Sequence, residues 1–453
     1  MIEVANPVIV APIEGEGSDF MREVDIAADE TPTGQRRLGG RFWFALHGWF
    51  ALPVWGGLLL ICLTGTLCTV SQEITWLYDS KVRADPSAGA PRLDLVQAAI
   101  AQAYPEANID SVQIEEPYFA YRVRIGLPGD DRKTLFVNPY TGELQGEAEG
   151  AGFRGFILAL HGWLLLPWQG DYSLGWYLVT LFSMPLLGSL VTALLMLKRF
   201  WRFFYQPRVR LGKGARVFWG DLHRLLGVWS IWFVAIVGAS GLWFLIQGAL
   251  VHNQVAIYPS APALSPEAVA VTATTTAPKN LPLEVLVARA KDEYPDLRIK
   301  YIKLPEYADD TVIVRGNRSW SLFRDNVNAV YLNPYNGETV AAHSPGNVSV
   351  LHAVGALITP LHFGNFGGLV SKLVWFFFGC LLSLIIGGGF FVWSKRTFDA
   401  IKREGPREKP RGRNTRERRK KGAVAPITWG GFAFLSWLLA LLPLYFLYQQ
   451  LSS

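Results

Sequence analysis

The charged residues of this chain are spaced so that the gaps between them are as long as a bilayer is thick. Crossing the apolar core of a membrane takes about 20 helical residues. The stretches 42–72, 174–197, 217–251, 366–394 and 427–448 all reach that length. The last has no charged residue. The third carries Asp221 and Arg224 only in its first turns, and the fourth has Lys372 near its start, where a lysine is expected to snorkel to the interface. Composition agrees: half of the 453 residues are hydrophobic and 18% are charged, against about 25% in an ordinary soluble protein. The three cysteines, Cys62, Cys68 and Cys380, form no C-x-x-C pair and lie in apolar runs. That excludes a disulfide scaffold, a zinc ribbon and a cysteine-ligated iron–sulfur cluster. Cys62 and Cys68 read as small apolar residues on different faces of a helix.

The net charge of +6 is a topology signal. Loop 198–216 holds seven Lys/Arg and no acid, loop 395–421 holds thirteen against four acids, and Arg36, Arg37 and Arg41 precede the first span. Short basic loops stay in the cytoplasm. Regions 73–173 and 250–365, with eight basic against fourteen acidic residues and nine against ten, are then expected outside. The positive charge implies contact with anionic lipid, and nucleic-acid binding is set aside. The first 35 residues are acidic without an apolar run, so residues 1–40 read as a disordered cytoplasmic tail rather than a cleavable signal peptide, with the first span as an uncleaved anchor.

An internal repeat organises the chain. Tyr104-Pro105-Glu106 recurs as Tyr294-Pro295-Asp296, 190 residues on, and the Asn-Pro-Tyr-x-Gly-Glu turn at 138–143 recurs at 333–338, 195 residues on. Stretches 93–104 and 283–294 have helical apolar spacing, while "AYRVRIGL" and "DTVIVRG" alternate as half-buried strands. Each half therefore reads as span, small α+β unit, span, with a fifth span appended. Stretch 153–197 has 45 residues, about 68 Å as one helix, and Pro167 with the "QGDY" turn should split it. Its first piece, "FRGFILALHGWLLLPW", and "VSVLHAVGALITPLHFG" before span four read as equivalent interfacial segments.

Only seven histidines are present, and their positions carry the functional argument. His47 ("ALHGWFALP") and His223 ("DLHRLLG") begin two spans on the cytoplasmic side. His161 ("ALHGWLLLP") begins a span from the outside, and His362 ("PLHFGNFGG") or His352 ("VLHAVG") begins the other. His352 lies 15 residues before Gly367, as His161 lies 14 before Gly175, whereas His362 has the richer local motif. Ionisable groups in a membrane are functional candidates by default. Two pairs at two depths in a helix bundle are what two bis-histidine haems require. Gly48, Gly162, Gly227 and Gly364 flank these positions and would let a flat macrocycle approach. Trp49 and Trp163 are candidates for stacking near it, while most other aromatics suit lipid and interface. His252 and His343 read as solvated. No G-x-G-x-x-G follows a strand, "GKGAR" at 212–216 lacks P-loop spacing, and neither H-E-x-x-H nor G-x-S-x-G occurs.

The chain resembles the PepSY-associated transmembrane-helix proteins, bacterial inner-membrane proteins that include ferric-siderophore reductases. The resemblance rests on "LHGW" at 46–49, the repeated "NPYTGE" and "NPYNGE" turns, "DLHRLLGVW" at 221–229, and "LHFGNFGGLVSKLVWFFFG" with "FFVWSKR" ending at Arg396. It covers about residues 40–397. It implies an α-helical transmembrane bundle with a four-helix core and two periplasmic α+β PepSY domains. It also implies b-type haems, with ligands carried over onto His47, His161, His223 and His362, and electrons moving outward to reduce iron(III) held by a chelator. The expected order is a tail to residue 40, span 41–72, domain 73–152, interfacial segment and span 153–197, loop 198–216, span 217–251, domain 252–347, interfacial segment and span 348–394, loop 395–426 and span 427–453. The fifth span and the acidic tail depart from the family pattern. An unidentified donor, a quinol or a cytoplasmic reductase, is implied. Arg41, Arg216 or Arg224 inside and Arg154 outside are candidates to pair with haem propionates. The competing expectation is a haem-free PepSY module that senses or inhibits an outer partner, for which His47→Ala and His223→Ala would be silent. A transporter is ranked last, because the spans lack mid-membrane acids.

Overall fold

The computed structural model describes residues 39–403 apart from 198, 268–279 and 319–321. The appended span at 427–448, the N-terminal tail and most of the second basic loop lie outside these residues. Helices α1 (Gly40–Ala51) and α2 (Trp55–Thr69) form the first crossing, offset by a tight turn at Leu52–Val54. Pro53 causes the offset, since it has no N–H to donate and its ring crowds the preceding turn. The crossing runs on into α3 (Ser71–Tyr78), and α4 (Leu93–Ala103) follows. The second half of the first unit is α5 (Gly152–Trp163), α6 (Leu174–Leu181), α7 (Ser183–Met196) and the short α8 (Phe200–Tyr205). The split of stretch 153–197 falls where Pro167 and the "QGDY" turn place it.

The third span differs from expectation. Stretch 217–251 is two helices, α9 (Ala215–Trp229) and α10 (Ile231–His252), meeting at the fully buried Ser230. Only Ile231–His252 is apolar enough to cross, because α9 carries Arg216, Asp221 and Arg224. After α11 (Leu283–Glu293) come α12 (Val350–Phe363) and the long α13 (Gly368–Arg403). The described helices include four long and apolar enough to span: Gly40–Thr69, Leu174–Met196, Ile231–His252 and Gly368–Ile401.

Packing repeats with the sequence. Helix α1 lies on α7 as α9 lies on α13, and α2 lies on α5 as α10 lies on α12. The halves interlock because α2 also packs on α13, and α10 on α7. Glycines permit the close approach: a Cβ on Gly57 would sit 2.5 Å from Phe182, and one on Gly379 would sit 2.4 Å from Thr66 Oγ1. Lys372 does not snorkel. It is 6% exposed, and its Nζ lies 2.7 Å from Glu73 Oε1 and 3.0 Å from Gln72 Oε1. The continuation of span one through α3 brings that carboxylate alongside, so a protein ion pair takes the place of water.

The two α+β units are joined. Their strands β1 (Asn108–Gln113), β2 (Tyr121–Gly126), β3 (Arg132–Val137), β4 (Leu144–Glu147), β5 (Arg298–Lys303), β6 (Val312–Asn317), β7 (Ala329–Leu332) and β8 (Thr339–His343) form one antiparallel sheet of order β4-β3-β2-β1-β5-β6-β7-β8. The seam pairs Val112 with Ile302, flanked by Ser111–Lys303 and Gln113–Tyr301. One core serves both units. Val96 and Ile100 of α4 and Leu283 and Leu286 of α11 pack on Val112, Val123, Ile302 and Val314, all at most 1% exposed. Burying this shared face offsets what two separate four-stranded units would leave open to water.

The repeated turn is built alike in both copies. Asn138 Oδ1 accepts from Tyr140 N–H and Asn333 Oδ1 from Tyr335 N–H. Gly142 and Gly337, at φ +72° and +76°, donate their N–H to the Asn carbonyls at 2.9 Å. Only glycine takes that conformation at no steric cost.

Candidate functional site

The fold brings four of the sequence-selected histidines together in two layers. At the end of the bundle away from the sheet, His47 of α1 and His223 of α9 have ring centroids 6.3 Å apart and planes at 77°. At the sheet end, His161 of α5 and His362 of α12 stand 6.1 Å apart at 32°. Each pair takes one ring from each half of the repeat.

Backbone carbonyls fix the tautomer of three of the four rings. His47 Nδ1 lies 3.0 Å from Ser189 O, His161 Nδ1 3.0 Å from Ile61 O, and His223 Nδ1 2.8 Å from Ile385 O. A carbonyl only accepts, so Nδ1 carries the proton. His362 Nδ1 lies 2.7 Å from Ser240 Oγ, which is also 2.7 Å from Ile236 O. With the serine proton on that carbonyl, the serine oxygen is free to accept from His362 as well. Thr192 and Thr64 repeat the device beside His47 and His161, at 3.1 and 3.4 Å, while their hydroxyls donate four residues back. Every ring keeps its Nε2 lone pair for another use.

Two glycines that sequence reasoning missed make room for the rings. A Cβ on Gly65 would lie 2.6 Å from His161 Cε1, and one on Gly389 would lie 3.0 Å from His223 Cε1. Of the glycines singled out beforehand, Gly162 and Gly227 face open space, and a Cβ on Gly48 would touch only Leu52 of its own helix. Gly364 serves differently: at φ +68° it ends α12, with Trp375 packed against it. The Ser and Thr acceptors were visible in the sequence as isolated hydroxyls in apolar helices, but which histidine each meets depends on the packing.

The sheet-end pair opens on a cavity of about 310 Å³ whose wall includes Gly65, Gly162, Gly241 and Gly379 beside Phe182, Phe244 and Trp375. Trp163 lines it, whereas Trp49 is 57% exposed. Cys62 and Cys68 both border this one cavity. Of His352 and His362, the structure brings His362 beside His161. His352, ten residues or about 15 Å earlier along α12, is 2% exposed and packs edge-on against Tyr258 at 5.0 Å. His252 is exposed beside Tyr172 and Tyr177, and His343 packs on Tyr331.

At the other end, Arg210 grips Asp221 through Nε and Nη2 at 2.8 and 2.9 Å, fastening the basic loop to α9 two residues before His223. Arg224 lies over the Phe203 ring at 5.2 Å. Among the described residues no group of three or more His, Cys, Asp or Glu side chains is placed to hold a bare metal ion. Each histidine pair offers two nitrogens, so a metal held there must bring its remaining ligands with it.

Four apolar crossings, a single sheet and paired histidines inside the bundle define a multi-span membrane protein with an added β-sheet domain. The sequence profile of the PepSY-associated TM region matches residues 44–396, which include both halves and all four paired histidines. The chain belongs to that family. No curated protein matches it.

Proposed function

We propose that the protein is a di-haem electron conduit of the bacterial inner membrane that reduces an iron(III) chelate, such as a ferric siderophore, on the sheet side and so releases iron(II). The observation that carries this reading is the doubled pair of facing imidazoles. Two metal–nitrogen bonds of about 2 Å, with the two half-rings beyond them, add up to about 6 Å between centroids. Both pairs have that spacing, at 6.3 and 6.1 Å. The donor set also fits, with two neutral imidazoles per site and no further protein ligands. Haem held by His47 with His223, and by His161 with His362, would supply one-electron chemistry.

The chain's own residues would do the rest. Nδ1–H bonds to Ser189, Ile61, Ile385 and Ser240 hold each ring and raise the basicity of Nε2. The mostly apolar cavity wall would give the sheet-end pair surroundings of low polarity. Two layers divide the crossing of the ~30 Å apolar core into shorter hops. The sheet, expected in the periplasm from the loop charges, would receive the chelate. Reduction favours release because hard oxygen donors hold iron(II) less tightly. Electrons would enter from a quinol or a cytoplasmic reductase.

An optical spectrum of the purified protein tests this. The expected result is a dithionite-reducible b-type signal with two haems per chain, and its absence would sink the proposal.

A further inference from the structure

We infer that Arg154, Arg122 and Arg324 form a carboxylate clamp at the sheet end of the bundle, built for the propionate groups of the macrocycle proposed at the His161–His362 site. The inference rests on the di-haem reading and adds to it the residues that orient and electrically tune one of the two centres.

Arg154 lies seven residues before His161 on α5, hence on the same helix face, two turns or about 10.5 Å nearer the sheet. Among the described residues it makes no ion pair. It acts electrostatically on Cys68 of the cavity wall and on Arg122. Arg122 comes from β2 on the sheet. Its Nη1 reaches only Gln113 Oε1, at 3.4 Å, and its Nε is buried without a partner. The one acid acting on it is Glu115, which Gln113 already engages at 2.8 Å. Arg324, from the other half, is the arginine that lines the cavity bordered by His161 and His362. Its backbone N–H donates to Ala356 O at 2.8 Å, six residues before His362, and its ion pair with Asp325 is loose at 3.6 Å.

Two guanidinium groups that repel one another, one with a buried unpaired donor, are costly unless an anion joins them. The flat, forked guanidinium matches a carboxylate with two parallel bonds. At the far end two of the arginines near His47 and His223 are already engaged: Arg210 is taken up by Asp221, and Arg224 lies on Phe203. The clamp therefore distinguishes the two centres. Positive charge beside one centre favours its reduced form, so the sheet-end centre is held at the higher potential and electrons run toward it.

Carboxylates reaching these arginines have two sources, the macrocycle itself or a soluble anion, and the test separates them. The full-length protein is purified in a carboxylate-free buffer and titrated electrochemically while the b-type bands are followed. Arg154→Gln and Arg122→Gln should each retain two haems and lower the midpoint potential of one, leaving the other unmoved. Arg154→Lys should recover most of the shift. In protein reconstituted with haem dimethyl ester, which has no carboxylates, the Gln variants should no longer differ from the parent. Unmoved potentials in haem-loaded Gln variants would overturn the clamp alone, as would a shift that survives with the ester. So would a potential that moves only when acetate or citrate is added, since the anion then comes from solution. A chain that binds no haem brings down the di-haem reading and the clamp with it.

Discussion

The two histidine layers come from one repeat, yet they are held differently. At the end away from the sheet both rings rest on backbone carbonyls, Ser189 O and Ile385 O, which no side-chain substitution removes. At the sheet end one ring rests on Ile61 O, but the other depends on the hydroxyl of Ser240. Ion pairing differs in the same sense. The sheet end has the buried Lys372–Glu73 pair, with side chains 8% and 17% exposed, whereas Arg210 in the Arg210–Asp221 pair is 60% exposed. Duplication thus copied the histidines and left their supports free to diverge. The layer nearer the sheet is the more vulnerable one, since a side-chain substitution can remove one of its supports.

Removing ligands should break this comparison most severely. His161→Ala or His362→Ala should each abolish one haem and spare the other, and His47→Ala or His223→Ala should do the reverse. Haem-to-protein ratios falling from two to one check this, and four silent variants would favour the sensing module instead. Next in size is Lys372→Met, which leaves the half-buried Glu73 carboxylate without its cation, at a cost of about 3 kcal/mol. Asp221→Asn should cost about 1 kcal/mol or less, because Arg210 stays solvated. Thermal unfolding of the detergent-solubilised protein compares the two. Ser240→Ala should weaken retention of one haem by roughly 10- to 100-fold, as loss of a supporting hydrogen bond does. Thr192→Ala should change retention little, since Ser189 O still accepts from His47; haem transfer to an acceptor protein measures both. Effects in the sheet fall between those of Lys372→Met and Asp221→Asn. Gly142→Ala and Gly337→Ala force an L side chain into the left-handed region, at about 1–2 kcal/mol each. Gly142→Ala should be the worse, because its Cβ would meet Leu95 Cβ at 3.1 Å, whereas Gly337 faces the flexible Arg289 side chain.

Much of this architecture was legible because it rests on local pattern. The apolar lengths located the spans, the Pro-Tyr-x-Gly turn located its hairpins, and the repeat matched His47 to His223 and His161 to a partner on α12. What escaped depends on contacts far apart in sequence. Nothing near Val112 announces that it pairs with Ile302, because two strands with buried and exposed alternation look the same whether a neighbour belongs to their own unit or to the other. Lys372 reads as a snorkelling lysine until α3 places Glu73 beside it. The choice of His362 over His352 needed the rotation of α12 and its distance from α5. Ser230 ends α9 one turn after Gly227, but a glycine and a serine so spaced are common inside apolar helices and do not announce a break.

The seam between β1 and β5 has a consequence for how the protein is made. Val112 and Ile302 are 190 residues apart, so the first four strands leave the ribosome long before their partners exist. At about 5–20 residues per second, that interval lasts roughly 10–40 s. Throughout it β1 presents an unpaired edge, the kind of surface that recruits foreign strands. Two further membrane crossings must be completed before the edge is covered. Biogenesis of this protein therefore contains a timed period of exposure, and its length is set by translation speed rather than by the stability of the finished sheet.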